Sequence, residues 1–157
     1  MQRLGLIVVS GLVAAATQGA AATYGFTPAP TNFEVSGVLN IAAPGDGGYG
    51  KCKAVWRGKI RPSGQEAVFT SIKITGSKPV CQINTGAANF TFTPSAPQFI
   101  ESQSVFWTLD GPKQGQCQGV IHGSISSTGV WSISSVLGAC SVSGALQSNP
   151  PVTIEAK

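Results

Sequence analysis

At 157 residues the chain is long enough for one domain with a hydrophobic core and too short for a multidomain protein. Its net charge of +4, from 10 Lys and Arg against 6 Asp and Glu, is far below that of a dedicated nucleic-acid binder, so nucleic acid is not an expected partner. One histidine and four cysteines leave little material for acid–base or metal chemistry.

The chain opens Met1-Gln2-Arg3 and continues from Leu4 to Ala16 as an apolar run broken by Gly5, Ser10 and Gly11. A short basic start followed by such a run is the pattern of a secretory signal, and the run falls short of the ~20 apolar residues that a spanning helix needs. Ala20-Ala21-Ala22 supplies the small side chains that signal peptidase cuts beside. Residues 1–22 are therefore expected to be a signal peptide cleaved near Ala22, and residues 23–157 one exported domain with no transmembrane segment. The expected location is secreted, in the medium or at the cell surface.

Cys52, Cys81, Cys117 and Cys140 all lie in the exported part, and an even count there suggests two disulfides acting as scaffold. A zinc site is disfavoured because no close Cys-x-x-Cys pair is present. Three pairings are possible; Cys52–Cys81 with Cys117–Cys140 is favoured because each bond then joins nearby strands in one half of the chain.

Gly, Ser and Thr are plentiful and long Leu/Ala/Glu/Lys stretches are missing, which suits short strands and turns. From Phe33 to Ile41, Phe33, Val35, Leu39 and Ile41 fall on one side and Glu34, Ser36 and Asn40 on the other. Ala42 to Gly50, with Pro44-Gly45-Asp46-Gly47-Gly48, reads as a loop. Further strands are predicted at about 51–60, 67–75, 80–84, 89–93, 103–109, 117–126, 129–136, 140–146 and 151–156. The clearest hairpin turns at Ser127-Thr128-Gly129. The expected fold class is all-β: a single antiparallel β-sandwich or small barrel-like domain with two disulfides.

In the segment Lys51 to Arg61, Lys51, Lys53, Arg57, Lys59 and Arg61 all fall on odd numbers, so an extended strand would project them from one face and Cys52, Ala54, Trp56 and Ile60 from the other. Such a face blunts a strand against aggregation and is also a candidate anion-binding surface. His122 stands alone, and no Gly-x-Ser-x-Gly elbow singles out a serine to partner it. Glu34, Asp46, Glu66, Glu101, Asp110 and Glu155 are scattered and offer no preferred carboxylate pair. No catalytic residue, cofactor or metal is expected.

The aromatics Phe90, Phe92, Phe99, Phe106, Trp107 and Trp131 could furnish a sugar- or lipid-binding platform, although core packing is the default role for most of them. Phe106 and Trp107 are adjacent and would point to opposite faces of one strand, which makes them the candidate exposed aromatic patch.

Two stretches carry a family resemblance: Phe26-Thr27-Pro28-Ala29-Pro30-Thr31-Asn32-Phe33-Glu34-Val35-Ser36-Gly37, and Cys140-Ser141-Val142-Ser143-Gly144-Ala145-Leu146-Gln147-Ser148-Asn149-Pro150-Pro151-Val152-Thr153-Ile154. With the four-cysteine layout and the length, they resemble the secreted bacterial activators of alkane oxidation (PraB-like). The resemblance implies a non-enzymatic extracellular protein that aids use of hydrophobic substrates at the cell surface or the oil–water interface, with no active-site residues to carry over. Expected partners are a hydrophobic substrate, a lipid or a surface polysaccharide. The alternative is a structural subunit of an extracellular filament or biofilm matrix, self-assembled by strand donation from the segment Thr23 to Thr31.

Overall fold

The computed structural model describes residues 23–44, 48–85, 90–109 and 116–157, with side chains described except at 83–85, 103–109 and 116. The expected signal peptide lies outside these residues, as do Asp46 and Asp110. The strands are β1 (Tyr24–Thr27), β2 (Thr31–Ala43), β3 (Gly48–Ile60), β4 (Ala67–Thr75), β5 (Ile83–Thr85), β6 (Phe90–Pro94), β7 (Phe99–Leu109), β8 (Gln116–Ile125), β9 (Val130–Leu137), β10 (Cys140–Asn149) and β11 (Thr153–Ala156).

One antiparallel sheet runs in the order β5-β7-β6-β4-β3-β2-β10-β9-β8, and β8 pairs back onto β7. That last pairing closes eight strands into a barrel, with the short β5 lying on β7 beside β6. The fold is thus a closed barrel and not a sandwich. Of the two expected architectures, closure is the one that leaves no long strand edge open.

Period-two alternation places the apolar side chains inside. Along β9, Trp131, Ile133, Ser135 and Leu137 are buried while Ser132, Ser134 and Val136 are exposed. Along β3, Cys52, Ala54, Trp56 and Ile60 are buried between exposed Lys51, Lys53, Arg57 and Lys59. Between Arg57 and Gly58 the register with β4 slips: Arg57 lies opposite Ser71 and Gly58 opposite Phe69, which leaves Thr70 as the extra residue of a bulge.

The rings of Phe26, Phe33, Trp56, Phe69, Phe90, Phe92 and Trp131 fill the interior with centroids 5.2–6.0 Å apart. Eight strands give an interior just wide enough for side chains to occupy, and aromatics occupy it here.

The two ends of the chain meet. β1 pairs with β11, Tyr24 opposite Ala156 and Thr27 opposite Thr153, and β2 pairs with β10 from Glu34–Asn149 to Ala42–Ser141. The stretches that carry the resemblance are therefore one paired unit. Phe26 is fully buried and stacks on Trp131, so the β1–β11 ribbon caps one end of the barrel. Within the segment Thr23 to Thr31 expected as a strand donor, Tyr24–Thr27 is paired with Thr153–Ala156 of the same chain.

Two further details differ from expectation. The segment predicted as a strand at 80–84 begins instead as a tight 3-10 turn, Pro79–Cys81, because Cys81 turns inward to bond Cys52; strand geometry resumes only at Ile83–Thr85. The Ala42 to Gly50 loop is shorter than expected, since β2 runs to Ala43 and β3 starts at Gly48.

Candidate functional site

The disulfides are Cys52–Cys81 and Cys117–Cys140, with Cα atoms 5.2 and 5.4 Å apart and all four sulfurs' residues buried. The first clips the β4–β5 connection onto β3, and the second ties the start of β8 to the start of β10. With no free cysteine left, thiol chemistry is spent on scaffold.

The sequence-predicted basic face is built as alternation dictates. Lys51, Lys53, Arg57, Lys59 and Arg61 all lie exposed on the outer wall, and Lys73 of β4 joins them opposite Val55. Arg57 Nε donates to Glu34 Oε2 at 2.8 Å, and Arg61 Nε lies 3.6 Å from Glu66 Oε2. Both pairs are solvent-exposed, so each contributes ~1 kcal/mol or less and mainly sets local charge. Among the described residues no carboxylate lies within ion-pair distance of Lys51, Lys53, Lys59 or Lys73. A groove lined by Lys59, Arg61, Pro62, Val68 and Thr70, about 370 Å³, opens at the bulge end of this face.

Exposed apolar side chains stand beside it. Val38 of β2 is 51% exposed opposite Lys53, and Tyr49 is 58% exposed next along the outer side of β3 from Lys51. Tyr49 Oη donates to Asn40 Oδ1 at 2.9 Å, which holds the ring against the wall. Neither residue was singled out from the sequence. Their outward direction was nonetheless legible: Leu39 and Cys52 face inward, so Val38 and the odd-numbered Tyr49 face outward.

On the far side of the barrel His122 projects outward from β8, with Nδ1 3.8 Å from Glu101 Oε2. Its backbone is held by Ser135, whose Oγ accepts from His122 N–H at 2.7 Å and donates to His122 C=O at 3.1 Å. A shallow groove of about 300 Å³ is lined by Phe99, His122, Gly123, Ser124, Ser132, Ile133 and Ser134. No nucleophile is hydrogen-bonded to the His122 side chain among the described residues, so His122 and Glu101 form a surface pair and not a triad.

Of the aromatics, Phe90, Phe92 and Trp131 are core, whereas Phe99 is 58% exposed. Its neighbour Ile100 takes the inward position, which turns Phe99 out. The backbones of Phe106 and Trp107 pair with Gln118 and Cys117; their side chains, the expected aromatic patch, lie outside the described residues.

Taken together, these features define a closed, aromatic-packed, cystine-held β-barrel whose charged and exposed apolar residues are spread over an outer wall instead of gathered into a cleft. The chain belongs to the PraA/PraB-like alkane oxidation protein activators, whose family it matches over residues 1–156. Comparison with curated proteins and with solved structures finds no match among either.

Proposed function

We propose that the protein is an exported, non-enzymatic accessory to alkane oxidation that works through its outer wall, at the cell surface or the oil–water interface. The family supports the alkane connection. The observation that carries the mode of action is the filled barrel. Eight-stranded barrels that carry small apolar ligands keep an open interior, but here Phe33, Trp56, Phe69, Phe92 and Trp131 occupy that space in mutual contact. The wall is the surface left for contact with oil or with cells. Its hydroxyl and lysine side chains suit water, while Val38, Tyr49, Phe99 and Val136 add exposed apolar points. This is the inverse of a membrane-spanning barrel, which places its apolar band outside.

The test is growth. Deleting the gene should slow growth on a long-chain alkane and leave growth on a soluble carbon source unchanged, and purified protein added to the medium should restore the alkane rate. Equal growth of mutant and parent on both carbon sources would overturn the alkane role. Failure of added protein to rescue would overturn action from outside the cell.

A further inference from the structure

We propose that the β3–β4 side of the barrel is a docking face for a lipid surface carrying anionic headgroups. The proposal deepens the interfacial reading above, and its test uses no alkane, so the two can fail separately.

Charge is distributed unevenly. The cations of β3, β4 and the turns that follow them share one side with Glu34 and Glu66, which are already paired to Arg57 and Arg61. Across the barrel stands Glu101 beside His122, while Glu155 lies on the β1–β11 ribbon and Lys157 Nζ donates to Ser63 C=O in the β3–β4 turn. Lys51, Lys53, Arg57, Lys59, Arg61 and Lys73 against Glu34 and Glu66 leave this side with an excess of positive charge. At ~3.3 Å per residue, the strand from Lys51 to Arg61 extends over roughly 33 Å, and alternate residues stand about 6.6 Å apart. Lys51, Lys53, Lys59 and Lys73 have no carboxylate partner among the described residues, so no intramolecular ion pair must break before they meet an anion.

A positive stripe alone would accept any polyanion. Val38 and Tyr49 favour a lipid surface, because they place an aliphatic and an amphipathic side chain among the lysines, Val38 directly opposite Lys53. Lysine stems lie along apolar material while their ammonium groups reach headgroups, and tyrosine prefers the boundary between the two. Aliphatic exposure of this kind adds nothing to binding a soluble acidic polysaccharide. Other outer positions are occupied by small hydroxyl and amide side chains such as Ser132, Ser134, Ser143 and Gln147, which carry no charge for an anionic surface to attract.

The experiment is co-sedimentation of the purified protein, expressed from the full chain, with vesicles of phosphatidylcholine alone or with about a third phosphatidylglycerol. Binding is expected only to the anionic vesicles and should weaken strongly between about 0.15 M and about 1 M salt as screening shortens. Replacing Lys51, Lys53 and Lys73 together by Gln should cost about five-fold per lysine, or roughly a hundred-fold in all. These side chains are exposed and unpaired, so circular dichroism should show an unchanged fold. Val38→Ser with Tyr49→Ser should lower vesicle binding several-fold without altering retention on a soluble polyanion column. Equal binding to neutral and anionic vesicles, or an undiminished affinity in the triple Gln variant, would overturn the proposal. So would a Val38/Tyr49 double variant that binds vesicles as the parent does, which would leave a polyanion site with no lipid character.

Discussion

Trp131 shows how the interior of this barrel is decided one side chain at a time. Its ring is fully buried, stacked on Phe26 at 6.0 Å and edge-on to Phe69 and Phe92, yet its Nε1 has no hydrogen-bond partner among the described residues. Trp56 is in the same position, edge-on to Phe69 and Phe90. A buried donor without an acceptor costs about 1–3 kcal/mol, and the perpendicular phenyl faces offer only weak acceptors. The indoles are therefore retained for volume. Replacing Trp131 by Phe removes the unsatisfied donor along with part of the ring, so the loss should stay under about 1.5 kcal/mol, against about 3–5 kcal/mol for Trp131→Ala. Urea unfolding of the two variants checks this, and equal losses would show that the N–H carries no penalty. Glycine decides the wall in the same way. A side chain at Gly37 would meet the carbonyl oxygen of Ala145, and one at Gly144, where φ is +154°, would meet that of Val38. These reciprocal approaches let β2 and β10 lie close and coil midway along their pairing. Gly37→Val should prevent folding, seen as loss of soluble protein, while Ser36→Val on the outer face should not.

At the scale of elements, the β1–β11 ribbon is fastened across one end of the barrel that the β7–β8 pairing closes. Phe26 N–H donates to Gly64 C=O at 2.7 Å, Lys157 N–H to Thr23 C=O at 2.8 Å and Lys157 Nζ to Ser63 C=O at 2.6 Å, so both chain ends are fastened to the turn between β3 and β4. Ser148 completes the clamp: its Oγ donates to Gly129 C=O at 2.7 Å and accepts from Val152 N–H at 2.9 Å. Phe26→Ala should cost about 3–5 kcal/mol in urea unfolding and leave the oligomeric state unchanged. If β1 instead served as an exchanged strand, the same substitution would shift the assembly seen by sedimentation. Much of this level was legible in the sequence, because alternation is a local signal. The runs Phe33–Ile41 and Lys51–Ile60 and the turn at Ser127-Thr128-Gly129 fall where their residues dictate. The 3-10 turn at Pro79–Cys81 was not legible, since it follows from a disulfide whose partner lies 29 residues away. Nor was β1, because Tyr24–Thr27 is too short to show a period and becomes a strand only through pairing with Thr153–Ala156. The basic face could be read from odd numbering alone. Its apolar companions could not, because Val38 reaches Lys53 only across a strand pair.

For the whole molecule, closure and filling determine what kind of activator this barrel can be. An open eight-stranded barrel holds a small apolar ligand in its mouth or lumen, and binding there stabilises the fold by mass action, about 2.7 kcal/mol at a ligand concentration 100 times Kd. Here the same space is occupied by Phe33, Phe69, Phe92 and Trp131, with Phe26 stacked across the end, so a dissolved alkane entering among these described residues would displace rings that contact one another. Displacement of one such ring would cost several kcal/mol of packing, comparable with the gain from burying a short chain. The protein should therefore show no saturable change in tryptophan fluorescence when titrated with dissolved octane or decane, and no upward shift in unfolding midpoint. Both tryptophans involved, Trp56 and Trp131, are core residues and would report any ligand that reached the interior. At an oil–water interface the outcome should differ, since adsorption through Val38 and Tyr49 needs no opening of the barrel: interfacial tension of a decane drop should fall with protein concentration while the core fluorescence stays constant. In a Trp107→Phe background, where Trp56 and Trp131 are the emitters, a saturable fluorescence change with dissolved alkane would place the ligand inside and overturn action through the wall.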